Sequence, residues 1–118
     1  MALRSTLAEV ALPSAARGSG TAQSGPVAAA GTATAVFLGV HCTAVSGTSP
    51  TLDASLEQSA DGASWSAITG SSVTQLTAAG NRVAAASVTA NYVRVAYTVG
   101  GSASPTATFT ATLLVVPS

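Results

Sequence analysis

Charge is what this sequence has least of. Its 118 residues include four arginines, four carboxylates and no lysine, so 7% of positions are charged and the formal net charge is zero. A typical soluble domain carries roughly 25%. Phosphate neutralisation needs a clustered excess of basic side chains, which the scattered Arg4, Arg17, Arg82 and Arg94 do not supply. Nucleic acid is thereby excluded as a partner, and a polybasic membrane patch falls on the same ground. The one cysteine, Cys42, can close no intrachain disulfide and is too little for a thiolate metal site. A chain held by packing and backbone hydrogen bonds alone suits synthesis in a reducing compartment. Gly, Ser or Thr interrupts every apolar run well short of the ~18–20 residues that a membrane-spanning helix needs. At the start, Ser5, Thr6 and Glu9 break up the apolar stretch that a secretion signal requires.

What is present is alanine, serine and threonine, and they divide the chain by texture. Residues 1–32 are rich in Ala, Gly and Ser, carry Pro13 and Pro26, and show no sustained alternation; they read as an N-terminal arm. Leu3, Leu7, Val10 and Leu12 fit either one stripe of a short helix or an edge strand, which so few residues do not separate. Such an arm has little apolar area to offset the entropy of ordering, so it calls for a surface to lie on.

From residue 33 to 118 the period is two. Val36, Leu38, Val40, Cys42 and Ala44 alternate with Gly39, His41 and Thr43. Leu52, Ala54 and Leu56 alternate with Asp53, Ser55 and Glu57. Val93, Val95, Tyr97 and Val99 alternate with Arg94 and Thr98, and Ala107 to Val115 alternates with Thr106 to Thr112. Each is a half-buried strand with one wet face. Asp61-Gly62 sits between two strand signals as a hairpin turn. Two further links, Val45 to Thr51 and Val99 to Thr106, both pass through Gly and Ser-Pro-Thr, and they predict two similar hairpins stacked face to face. With a short strand over Val83–Val88 the expected fold is all-β: an antiparallel β-sandwich of seven to eight strands, jelly-roll or Greek-key, after the arm.

The runs TSPTLDASLEQSADGASW and NYVRVAYTVGGSASPTATFTATL carry a resemblance. They are similar to a group of small proteins of tailed bacteriophages that pair a TSPTLDVxxxxSxDGxxW hairpin with a RYVRVxxxxxGxSPxxTF hairpin, over roughly residues 33–116. The resemblance implies a virion component of the head-decoration or accessory capsid type, and no catalytic motif comes with it.

Residues that could carry chemistry each have a structural reading. His41 and Cys42 are strand neighbours and point to opposite faces. Asp53 and Glu57 lie four apart on a strand, roughly 13 Å between Cα atoms, too far to chelate one ion. Trp65, Tyr92 and Tyr97 could form a sugar-binding platform, but in a chain with five aromatics they fit core and corner positions better. No glycine-rich loop leads into a lysine, and no G-x-S-x-G turn accompanies the lone histidine. The chain is therefore expected to be no enzyme and to use no cofactor or metal. Its expected role is capsid decoration on the outer surface of a phage head after synthesis in the host cytoplasm, with the major capsid protein and copies of itself as partners. Leu3, Leu7, Val10 and Leu12 are the candidate assembly contacts, the arm lying along a neighbour so that residues 1–30 can be removed without unfolding the sandwich. A tail or head–tail junction protein and a carbohydrate-binding adhesion module are the alternatives.

Overall fold

The computed structural model describes residues 7–28 and 33–117, with the side chains of residues 10–27 and 35–116. It is all-β and antiparallel. The strands are β1 (Leu7–Gly18), β2 (Gly20–Gln23), β3 (Val27–Ala28), β4 (Ala33–Ser59), β5 (Ser66–Ala67), β6 (Gly80–Ala86) and β7 (Tyr92–Pro117). β4 and β7 pair with each other along almost their whole length, from Ala33 opposite Pro117 to Ser59 opposite Tyr92.

These two strands are too long to be straight. At about 3.3 Å per residue, the 26 residues of β7 would reach roughly 86 Å, whereas the longest dimension of the protein is 54 Å. Both fold back halfway. The rings of Tyr97 and Phe109, which an extended strand would hold roughly 40 Å apart, meet edge to face with centroids 5.1 Å apart. The result is a sandwich made from one bent sheet. One layer, layer A, contains β1, the second half of β7, the first half of β4, and β6. The other, layer B, contains β2 and β3, the first half of β7, the second half of β4, and β5. Between them lies one core that includes Val36, Leu38, Leu52, Leu56, Val93, Val95, Phe109 and Leu113.

The corner explains the two Gly and Ser-Pro-Thr links. They are not hairpin turns, as their sequence suggests, but the two bends of β4 and β7 lying side by side, with Thr48 opposite Ser102 and Thr51 opposite Gly100. Positive φ is concentrated there: Gly47 at 99° and Gly101 at 121°, with Ser49, Ala103 and Ser104 at 49°, 59° and 54°. The backbones approach so closely that a Cβ on Gly47 would lie 2.7 Å from the Cα of Pro105. A third chain segment turns at the same level, since β1 ends at Gly18 opposite Thr106 and β2 resumes at Gly20 opposite Val99.

Residues 7–28 thus follow β7 over the bend and form the edge of both layers. Neither a helix nor a segment apart from the sandwich, they supply Leu12 and Val27 to the core. Arg17 closes the layer gap at this edge. Its guanidinium lies 4.6 Å from the Phe109 ring centre and 5.8 Å from that of Tyr97, and it donates to the carbonyls of Phe109 and Pro13 at 2.7 and 2.6 Å. The Asp61-Gly62 hairpin is present as expected, with Gln58 opposite Ser66.

Beyond β5, residues 68–76 continue layer B as an irregular strand, bonding Ile68 to Leu56, Val73 to Ala54 and Leu76 to Leu52 through the backbone. The buried Ser71 hydroxyl fills the break in this ladder: it accepts from the Leu56 amide at 2.9 Å and donates to the Ile68 carbonyl at 2.7 Å. Ser71→Ala leaves the Leu56 amide unpaired in the core, and denaturant titration is expected to show a loss of about 1–3 kcal/mol.

Candidate functional site

A bent sheet leaves two outer faces, and their chemistry differs. On layer B the outward positions of β4 and β7 are Asp53, Ser55, Glu57, Arg94, Ala96 and Thr98. Each charge there is engaged locally. Arg94 Nε meets Glu57 Oε1 at 2.7 Å and its guanidinium stacks 4.3 Å from the centre of the Trp65 ring. Gln75 donates to both oxygens of Asp53 at 3.1 and 3.0 Å.

Asp61 binds its own loop. Its Oδ1 accepts the amides of Ser64 and Ala63 at 3.0 and 2.9 Å and the Ser59 hydroxyl at 3.0 Å. These bonds, that of Ser64 foremost, hold the carboxyl at about 2, below its ordinary 3.8. A depressed carboxyl pKa favours the folded loop above the ordinary value and releases it as pH falls between the two. Protection of the Ala63 and Ser64 amides, taken relative to the exchange of an unstructured peptide at the same pH, is expected to hold at pH 4 and to fall as the pH drops towards 2. In Asp61→Asn this dependence should disappear; an identical profile in both proteins contradicts the loop's description.

The three carboxylates are therefore dispersed. Among the described residues no group of three His, Cys, Asp or Glu side chains is placed to hold a metal ion. The aromatics do not form a platform either: Trp65 is stacked on Arg94, Tyr97 on Phe109, and Tyr92 flanks Gly62. His41 faces outward on layer A, hydrogen-bonded to Asn81, while Cys42 is buried.

The outer face of layer A is different. Registers place Val10 opposite Thr112, Thr112 opposite Gly39, and Gly39 opposite Val83, so one row crosses four strands. In the adjoining row Phe37 lies between Leu114 and Ala85. The exposed large apolar side chains of the described residues are Val10, Phe37 and Val83, at 58%, 37% and 72%, and all three stand on this face. Gly39, lacking a side chain, leaves a shallow depression of about 230 Å³ beside Val83, bordered also by His41, Asn81, Arg82, Thr110 and Thr112. Among the described side chains no carboxylate lies on this face. An apolar strip rimmed by threonine, with no carboxylate among its described side chains, has the character of a contact surface.

Of the four candidate contacts read from sequence, only Val10 is seen on this strip. Leu12 is turned into the protein's own core, because a bulge between Val10 and Leu12 shifts the register and reverses its face. For Leu7 the structure gives a backbone position opposite Val115, and Leu3 lies outside the described residues. Phe37 and Val83 were missed. Phe37 does carry a signal, as the large apolar residue at an outward position of an otherwise alternating strand. Val83 carries none, since its run of alanines fixes no phase.

No protein-family model matches the sequence, and no curated protein sequence matches it. Solved structures do share the fold. The chain is similar to the PBSX exported protein XepA, with a TM-score of 0.70 and 16% identity over 95% of this chain and 37% of that one. It is similar to a chain in the structure of infectious bursal disease virus, Gx strain, with a TM-score of 0.56 and 12% identity over 93% and 32%. The SPBc2 prophage-derived protein YomS gives 0.51 and 10% over 98% and 96%. The chain spans about a third of the first two and nearly all of the third. At such identities the likeness is one of fold: an antiparallel β-sandwich that an exported protein, a prophage-derived protein and a virus structure also contain.

Proposed function

We propose that this chain is a non-enzymatic structural subunit of a phage particle that docks through the outer face of layer A. The observation that carries the reading is the separation of surfaces, with Val10, Phe37 and Val83 on one face and Asp53, Glu57 and Arg94 on the other. The phage-like sequence runs and the shared fold of XepA and YomS support the setting. In its finer form, the subunit decorates the outside of the head against the major capsid protein. The face replaces the arm as the means of attachment, since residues 7–28 are already paired within their own sheet. Affinity then rests on apolar burial multiplied by valency, with little counterion release.

The test is co-sedimentation with particles of the phage that encodes the chain, assembled without it. Burying an apolar side chain of this size contributes about 1.5–3 kcal/mol, so Phe37→Asp should weaken binding at least tenfold. Asp53→Asn on layer B should leave it unchanged. Raising the salt from about 50 to about 500 mM should alter wild-type binding less than about twofold. Binding that survives Phe37→Asp and Val10→Asp together contradicts the proposed face. Labelling along the tail or at one vertex would move the subunit to a tail or junction role.

A further inference from the structure

We infer that two copies of the chain pair through β6, antiparallel about Val83, to join their A layers into one eight-stranded sheet. Layer A has two edges, β1 and β6, and they are built differently. β1 carries Pro13 and two register shifts, devices that keep a foreign strand from pairing. β6 has none: Gly80–Ala86 contains no proline, no lysine and no bulge, and pairs on one side with Val36–Cys42 of β4. Among the described residues nothing pairs with its other side. The occupant of such an edge must be an extended backbone, because what is left open is a row of amides and carbonyls. Val83, at 72% the most exposed of the described large apolar side chains, stands on this edge.

A second β6 fits for three reasons. Antiparallel pairing about Val83 sets Val83 against Val83 and extends the apolar strip unbroken across the seam. It sets each Arg82 directly opposite Ala84, so the one charge on the strand has no like charge straight across the seam. The approach is open, since a cleft of about 560 Å³ lined by small residues, Ala67, Thr69, Gly70, Ala85 and Ser87 among them, flanks the C-terminal half of β6. The guarded β1 disfavours the alternative of a β1-to-β6 chain of copies. Seven residues give a seam about 23 Å long. Even across the full 21 Å depth of the sandwich it covers roughly 500 Å² a side, below the ~800 Å² per partner of a stable complex. The pair is accordingly a reversible dimer of micromolar affinity that crowding on a particle would drive to completion.

Sedimentation equilibrium of the free protein, from about 1 µM to about 1 mM, reads the pairing without any particle, so its failure is distinct from failure of the docking face. Wild type should pass from monomer to dimer. Val83→Lys, an exposed change that should leave the melting temperature in place, sets two lysines face to face and should weaken association at least tenfold, and Val83→Glu likewise. Mixing the two variants should restore a one-to-one heterodimer. A wild type that stays monomeric at the top of the range overturns the inference. So do a Val83→Lys protein that dimerises normally and a mixture that fails to associate, since β6 would then not meet itself at Val83.

Discussion

Deleting residues 1–28 is expected to leave a chain that does not fold. These residues look dispensable in the sequence, and the structure gives the opposite expectation. They pair with β7 in both layers, from Leu7 opposite Val115 to Ala28 opposite Tyr92. Their removal strips β7 of one neighbour along its length and takes Leu12 and Val27 from the core. It also removes the guanidinium that closes the layer gap over Phe109. Burying one Val or Leu contributes about 1.5–3 kcal/mol, and two of them plus a ladder of backbone bonds match the ~5–15 kcal/mol that holds a whole domain. The truncated protein should give a collapsed amide spectrum and no cooperative melting. A well-dispersed spectrum with a sharp transition contradicts the edge role of this segment.

Gly47→Ala is expected to be the most damaging single-methyl change. The new Cβ would lie 2.7 Å from Pro105 Cα and 2.9 Å from the Ser102 carbonyl oxygen, both backbone atoms of the partner bend. It would also hold φ at 99°, which L-residues avoid. Backbone strain of about 1–3 kcal/mol adds to overpacking of about 1–3 kcal/mol, so denaturant titration should show a loss of about 2–6 kcal/mol. Gly25→Ala is the control, because nothing lies within 4 Å of its added Cβ and its φ is not positive. Equal stability of the two variants contradicts the close-approach corner.

The fold class was legible because the core residues of β4 and β7 alternate strictly and every long strand keeps one apolar face. The bend was not. Gly-Thr-Ser-Pro at 47–50 and Gly-Ser-Ala-Ser-Pro at 101–105 are turn chemistry, and turn chemistry serves a hairpin or a corner equally well; only pairing of the two runs with each other distinguishes them. Residues 7–28 were misjudged for a related reason. Two bulges in β1 break the period of two, so a strand that contributes Leu12 to the core reads as irregular. The docking face was half legible. Val10 was singled out for the arm that it was taken to belong to, whereas its place on the strip comes from a row across four strands that no single segment reveals. The scarcity of charge proved informative once placed: the described carboxylate side chains of Asp53 and Glu57 lie on layer B and that of Asp61 in the loop after β4, so none of these three stands on the outer face of layer A.

Imaging native phage particles at a resolution that separates the two β-layers tests the central claim most directly. The account expects copies of this chain over the outer surface of the head, with Val10 and Phe37 turned towards the shell and Asp53, Glu57 and Arg94 turned to solvent. Particles that lack the chain, or copies seated with the charged face against the shell and the apolar strip exposed, would contradict it.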